Sequence, residues 1–321
     1  MKRWTERFRQ PPVASDGWLI VAVALLARLS IVAWGWGRFP PADDGHFYHV
    51  VADRIARGLG YTWLWPDGAV TYAAHYPVGY PGLLGAGYAL LGSRPEVAML
   101  INALLGTLGA FAAYRLSASV GLRGPALLAG LCAALHPSLV FYTPALMTEG
   151  VIAASFAVLG WLSLEAQRRG PWFKVALGVC AGAAVLIRPQ SLLLVPVFGA
   201  FASAGSGWAR LRSAALVTAL SIGVCLPWTA RNCHRLERCT FVSANGGWNL
   251  FIGSAEKATG SWVSIDELGV PVECRTVFGE ADKDHCFGRA GLRNVLSRPA
   301  HFVSLVPSKL ATTFDLSLIH I

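Results

Sequence analysis

Charged residues are scarce in this sequence. Asp, Glu, Lys and Arg make up 14% of its 321 residues, against 54% hydrophobic. With a positive mean hydropathy, that scarcity excludes an ordinary soluble domain and points to an all-α, polytopic membrane protein. A continuous basic face is also lacking. The formal net charge is +9, but Lys and Arg fall in short clusters between apolar runs, which reads as membrane topology and lipid-phosphate contact, not as nucleic-acid binding. No small-x-small cleavage site follows the first apolar run, which ends Trp34-Gly35-Trp36-Gly37-Arg38. That run is therefore an anchor and not a cleaved signal peptide.

The basic clusters set a threading. Lys2, Arg3, Arg7 and Arg9 precede a spanning stretch at 18–36, which places the N-terminus in the cytoplasm. Arg28, inside that stretch, is either paired within the bundle or snorkelling. Residues 38–96 form a first outer loop. Its apolar part, 79–92, is broken by Pro81, Gly82, Gly85 and Gly87. At roughly 1.5 Å per residue it is too short to cross a hydrocarbon core of roughly 30 Å, so it is interfacial or re-entrant. The chain then runs inward at 97–114, outward at 125–142, inward at 151–164, outward at 175–187, inward at 192–203 and outward at 216–228. Arg115, Arg123, Arg168, Arg169, Lys174, Arg210 and Arg212 all fall in the cytoplasm under this threading. The expected architecture is a transmembrane bundle over 1–230 with seven or eight helices, a long outer loop over 231–297, and the start of a further membrane-associated helix at 298–321.

Cys233, Cys239, Cys274 and Cys286 fall in the long outer loop, where two disulfides are expected, with Cys233–Cys239 and Cys274–Cys286 the local pairing among three. A zinc site is the rival, and no paired C-x-x-C spacing supports it.

On the same side of the membrane the threading gathers the polar residues that chemistry needs. Asp43 and Asp44 follow the first span directly, and Asp44, Tyr48 and Ala52 fall on one helical face at i, i+4, i+8. A carboxylate there is either a base at the membrane surface or a helix cap. His46, His75 and Tyr76 come from the same loop, Glu149 from the second, Arg188 from a tight turn, and Arg231, Asn232, Asn245 and Asn249 from the long loop. Arg188 has no acidic residue near it in sequence, so it either meets an anion, a lipid phosphate being the natural one, or snorkels at a helix end. Residues 243–250 read as a loop whose glycines permit close backbone approach.

The order Asp-Asp-x-x-x-Tyr-x-x-x-Ala-x-x-x-Ala-x-Gly-x-Gly-Tyr from Asp43, then Tyr76-Pro77-x-Gly79-Tyr80-Pro81, resembles the start of the polyprenyl-phosphate-sugar-dependent glycosyltransferases of the GT-C fold. That superfamily includes protein mannosyltransferases and aminoarabinose transferases. His136-Pro137-Ser138 leading to Thr148-Glu149, Leu186-Ile187-Arg188-Pro189, and Pro227-Trp228-Thr229-Ala230-Arg231-Asn232 followed by Val242-Ser243-Ala244-Asn245-Gly246-Gly247 extend the resemblance over nearly the whole chain. It implies Asp44 as the catalytic aspartate, with Asp43 the close alternative, Glu149 as the second acidic position, and Arg188 and Arg231 beside the carrier phosphate. His46, Tyr48, His75, Tyr76, Asn245 and Asn249 are the expected substrate contacts. Such enzymes continue through several more helices, so a C-terminally truncated chain is expected.

The residue types suit that chemistry. A sugar on a polyprenyl phosphate leaves as a phosphate monoester, which needs no acid, whereas the attacking hydroxyl needs a base. Arginines stabilise charge on the departing phosphate. The expectation is an inverting transfer to an acceptor hydroxyl on the outer face. No cofactor is required; a divalent metal near Asp43, Asp44 and Glu149 is conceivable but not predicted. The expected partners are a polyprenyl-phosphate-linked sugar donor and the bilayer, with no nucleic acid and the acceptor left open. Richness in alanine, glycine and arginine suggests a bacterial inner membrane. The alternative is a lipid-linked sugar flippase or secondary transporter, which would place polar groups near the midplane and carry an internal repeat that this sequence does not show.

Overall fold

The computed structural model describes residues 10–119, 121–236 and 238–314. The basic stretch 1–9 and the end of the expected last helix, 315–321, lie outside the described residues. The chain divides into two compact units: Met1–Val70 with Pro77–Leu226, and Thr71–Tyr76 with Pro227–Ile321.

In chain order, the first unit holds α1 (Ala14–Gly35), α2 (Asp43–Ala56), strand β1 (Thr62–Leu64), and, past the short strand β2 (Val70–Tyr72), α3 (Gly79–Leu91), α4 (Pro95–Ala118), α5 (Arg123–Leu135), α6 (Pro137–Phe141), α7 (Glu149–Arg169), α8 (Pro171–Ile187), a 3-10 turn (Pro189–Leu193), α9 (Val195–Phe201) and the first part of α10 (Gly207–Arg235). Among the described residues four helices are long and apolar enough to cross a membrane: α1, α4, α7 and α10. Arg123–Leu135, Pro171–Ile187 and Pro189–Phe201 are apolar but shorter. α3, at 13 residues, has the length expected of a re-entrant segment.

Three expected elements differ. The outward run at 125–142 is broken: α5 ends at Leu135 because Pro137 cannot continue its ladder, and α6 restarts from Pro137 at its first turn. The inward run at 192–203 is a 3-10 turn followed by a seven-residue helix, with Pro196 in its first turn. α10 begins ahead of 216 and continues through Pro227 to Arg235, so Cys233 is helical and not in a loop.

The break after α5 leaves helix carbonyls without intrahelical donors, and in a bilayer such groups must find a partner in the protein. Arg28 supplies it. Its guanidinium, in a side chain only 2% exposed, donates to Ala134 O at 3.0 Å and Ala133 O at 3.2 Å, and to Ala24 O of its own helix at 3.2 Å. The cation is thus paired within the bundle, where it also complements the negative end of α5. Around it Ile20, Ala24, Ala110, Tyr114, Ala126 and Ala134 form the core between α1, α4 and α5.

At one end of the unit the basic residues find acidic partners. Arg123 holds Asp16 in a two-pronged pair, Nε to Oδ2 at 2.8 Å and Nη2 to Oδ1 at 2.6 Å. Glu165 takes Arg115 at 3.3 Å and Arg169 at 2.6 Å. Glu149 begins α7 and Glu165 lies in its last turns, so the two stand about 24 Å apart along the axis.

The second unit contains the rest of α10, α11 (Gly246–Ile252), α12 (Ile265–Leu268), α13 (Glu280–Ser297), α14 (Pro299–Ser304) and α15 (Val306–Phe314). Its core is Phe251, Ala255, Cys274, Cys286, Phe287 and Ala290. Cys233 is bonded to Cys239 and Cys274 to Cys286. The stretch 243–250 is only partly a loop, since α11 starts at Gly246. Close approach at its glycines is realised: a Cβ on Gly247 would stand 1.8 Å from Asp284 O, so only glycine fits against α13.

Candidate active site

The first unit assembles one cluster at the N-terminal end of α7. Asp44 and Tyr48 share a face of α2, as the i, i+4 spacing predicts, with Tyr48 and Ala52 buried at 5% and 0% exposure. Tyr48 shares a side-chain hydrogen bond with Thr148 and feels the charges of Asp44, Glu149 and Arg188. Burial drives its phenol far above the ordinary range, the two carboxylates push the same way, and Arg188 and the Thr148 bond oppose them. Tyr48 is therefore a neutral hydrogen-bonding group at any physiological pH.

Arg188 caps α8 in an extended conformation. Its Nε donates to Thr148 Oγ1 at 2.8 Å and its Nη2 pairs with Glu149 Oε1. The anion that Arg188 meets within the protein is thus Glu149, 39 positions away in sequence. Glu149 is only half satisfied: Oε2 is buried with no hydrogen-bond partner among the described residues. Backbone packing fixes the turn that carries Arg188. A Cβ on Gly79 would lie 2.6 Å from the Leu186 carbonyl carbon and oxygen and 2.7 Å from Ile187 N. Tyr80, next along α3, is fully buried, rests edge-on against Tyr48 with ring centroids 5.3 Å apart, and donates to Asn102 Oδ1 at 3.0 Å.

The two aspartates differ. Asp43 is exposed and adopts φ 47°, one of two non-glycine residues among those described in the left-handed region. Asp44 is half-buried and belongs electrostatically to the Tyr48 cluster. His46 is exposed and meets Trp63 edge-on at 6.2 Å, outside that cluster.

The other expected site residues lie in the second unit and form a network of their own. Arg231 donates to Ala73 O at 2.8 Å and Asn232 Oδ1 at 3.0 Å, and stacks on Trp228 at 4.6 Å. Ala244 N donates to Ala74 O at 2.7 Å. Val242, buried with φ 56°, turns its carbonyl to Trp228 Nε1 at 2.9 Å and Asn232 Nδ2 at 3.2 Å. A β-branched residue in that region is strained, and these two donors hold it there. His75 lies edge-on to Tyr76 at 4.8 Å and to Trp248 at 5.6 Å. Asn245 accepts from Ser243 Oγ at 3.0 Å, and Asn249 is exposed on α11.

Sequence reasoning missed Glu280 and Asp284. On α13, Glu280 accepts from the amides of Ala74 at 2.5 Å and His75 at 3.1 Å, and Asp284 from that of Trp248 at 3.0 Å. Burial raises both carboxyls above their usual range, against the amide bonds that lower them. Nothing in their spacing signals this. Asn102 was also missed, although an amide inside an apolar span is a signal in itself. Among the described residues no three His, Cys, Asp or Glu side chains gather as a metal-binding set.

Residues 75–230 match the family model described as dolichyl-phosphate-mannose-protein mannosyltransferase. That match, over just under half of the chain, supports the resemblance to the GT-C glycosyltransferases. Glu149, Arg188, Tyr80 and Asn102 lie inside the matched stretch, while Asp43, Asp44 and Arg231 lie outside it. No curated protein and no solved structure matches the chain.

Proposed function

We propose that this membrane glycosyltransferase moves a sugar from a polyprenyl-phosphate carrier to an acceptor hydroxyl on the outer side of the membrane, with inversion at the anomeric carbon. The convergence of Asp44, Tyr48, Thr148, Glu149 and Arg188 from three separate stretches of sequence carries this reading. Asp44 takes the proton of the attacking hydroxyl, a role worth typically 10²–10⁴-fold. Asp43, exposed and in a strained conformation at the start of α2, shapes the turn that presents it. Arg188 stabilises charge growing on the departing phosphate. To reach the phosphate the guanidinium must share or release Glu149 Oε1, which then joins Oε2 as an acceptor for a sugar or acceptor hydroxyl. An outer active face is supported by the Glu149 end of α7 lying opposite the end where Arg115, Arg123 and Arg169 collect. The basic residues ahead of the first span support a cytoplasmic N-terminus, and richness in alanine, glycine and arginine supports a bacterial inner membrane.

The test is transfer of labelled sugar from polyprenyl-phosphate donors in membranes, with Asp43→Asn and Asp44→Asn compared at equal expression. Loss confined to Asp44→Asn is the expected result. Loss confined to Asp43→Asn moves the base by one position, and full activity in both removes the first-loop mechanism.

A further inference from the structure

Thr148 and Glu149 are held by a run that has little regular structure of its own. After α5 ends at Leu135 the chain makes the single turn α6 and then continues through residues 142–148 to α7. Two side chains grip carbonyls at this connection. Arg28 takes Ala133 and Ala134 in the last turn of α5, just ahead of it. Asn102, 7% exposed within the spanning helix α4, takes Thr143 O at 3.2 Å and Ala145 O at 3.1 Å through Nδ2, while its Oδ1 accepts from Tyr80 Oη at 3.0 Å. Both amide protons and the carbonyl of Asn102 are thereby used, and the two carbonyls facing the nitrogen and the hydroxyl facing the oxygen fix which way the amide points.

Directly after Ala145, Leu146 is 3% exposed and packs on α2 at the residue following Asp44. A Cβ built on Gly45 would stand 3.2 Å from Leu146 O and 3.3 Å from Leu146 Cβ. Two residues further on, Thr148 meets Tyr48 and Arg188. The segment gripped by Asn102 thus touches the helix of Asp44 on one side and carries the Thr148–Glu149 pair on the other.

We propose that Asn102 is a positioning residue that sets the separation between the Asp44 carboxylate and the Glu149–Arg188 pair by fixing residues 143–146. It touches neither substrate nor reacting atoms, and the inference rests on the glycosyl-transfer reading for its effect on rate. Tyr80 completes the grip from α3, so the re-entrant helix, the spanning helix and the connection are tied at a single amide. Misplacement of reacting groups by about 1 Å can cost 10²-fold in rate, which gives this one amide a large lever.

The test has two readouts. In the first, Asn102→Leu, which keeps the volume and removes the donors, and Tyr80→Phe, which removes one hydroxyl, are assayed for transfer from a polyprenyl-phosphate sugar. The expected result is a kcat reduced about 10–10²-fold in Asn102→Leu and severalfold in Tyr80→Phe, with KM for the donor within about twofold. A raised KM with unchanged kcat overturns the proposal. The second readout needs no activity. Gly45→Cys and Leu146→Cys place two thiols at a separation close to the roughly 3.5–4.5 Å between Cβ atoms of a disulfide. Cross-linking on mild oxidation should be fast in this background and at least tenfold slower when Asn102→Leu is added. An unchanged rate overturns the proposal. If the wild-type chain transfers no sugar from any donor while cross-linking still depends on Asn102, the positional grip is supported and the glycosyl-transfer reading falls.

Discussion

Glu165 and Glu149 sit near opposite ends of one helix, each beside arginine, and they are finished differently. Glu165 is 7% exposed at its side chain, and both oxygens are engaged: Oε1 by Arg115 at 3.3 Å and Trp161 Nε1 at 3.1 Å, Oε2 by Arg169 at 2.6 Å. Glu149 is 40% exposed at its side chain, pairs with Arg188 through one oxygen, and buries the other without a partner among the described residues. A carboxylate with both oxygens engaged by protein donors has little left for a ligand. One that leaves an acceptor open has a lone pair that water, a ligand or a reacting hydroxyl can take. The contrast separates a structural ion pair from a candidate site more sharply than residue identity does.

Exchanging each glutamate for glutamine is the most direct way to break that contrast. Glu149→Gln should lower transfer about 10²-fold while leaving thermal stability within about 1 kcal/mol. Glu165→Gln should do the reverse. It leaves two half-exposed arginines sharing a neutral partner, so a stability loss of about 2 kcal/mol is expected, with transfer per folded molecule unchanged. Thermal unfolding and initial rates on the same preparations check both halves; equal behaviour of the two variants would erase the distinction.

Gly79→Ala sharpens it at an intermediate scale. The added Cβ meets the Leu186 backbone at 2.6 Å, so the Arg188 turn has to move and the Glu149 end of the helix with it. A rate loss of about tenfold accompanied by roughly 1–3 kcal/mol of destabilisation is expected. The Glu165 end should be untouched, which amide exchange around Arg115 and Arg169 would report.

The sequence made one part of this legible and hid another. Local spacing put Asp44, Tyr48 and Ala52 on one face, and the helix at Asp43–Ala56 carries them so. Length marked 79–92 as too short to span, and the helix there, Gly79–Leu91, has 13 residues. Motif order gave the glycosyltransferase class that the family match over 75–230 supports. Sequence alone leaves Arg188 between meeting an anion and snorkelling at a helix end, because its partner, Glu149, is distant in sequence and meets it only through helix packing. The same limit hid the Arg28 grip on α5 and the amide contacts of Glu280 and Asp284. Residues 243–250 were misread for a different reason: two glycines outweigh local propensity for helix, yet α11 starts on them because burial of Phe251 and Trp248 against Phe287 rewards that conformation.

Glu280 offers a third way to finish a buried carboxylate, with backbone amides in place of arginine side chains, and it predicts the smallest effect. Burial raises its pKa above the value it has in the unfolded chain, and the Ala74 and His75 amides and the charge of Arg231 only partly offset this. Between those two values the folded protein keeps a proton that the unfolded chain has lost. Stability of the second unit therefore falls as pH rises through that interval and is regained on acidification. The same sign holds for Asp284, which burial raises against the amides of Trp248 and Gly247. Amide exchange at Ala74 and His75, corrected for its intrinsic pH dependence, should show more protection just above the ordinary glutamate range than near neutrality. Glu280→Gln should flatten that slope at these two amides and leave the slope at Gly247 and Trp248 in place. A slope of opposite sign would mean that the amide bonds outweigh burial, and Glu280 would then belong with Glu165 as a carboxylate whose charge the fold fully satisfies.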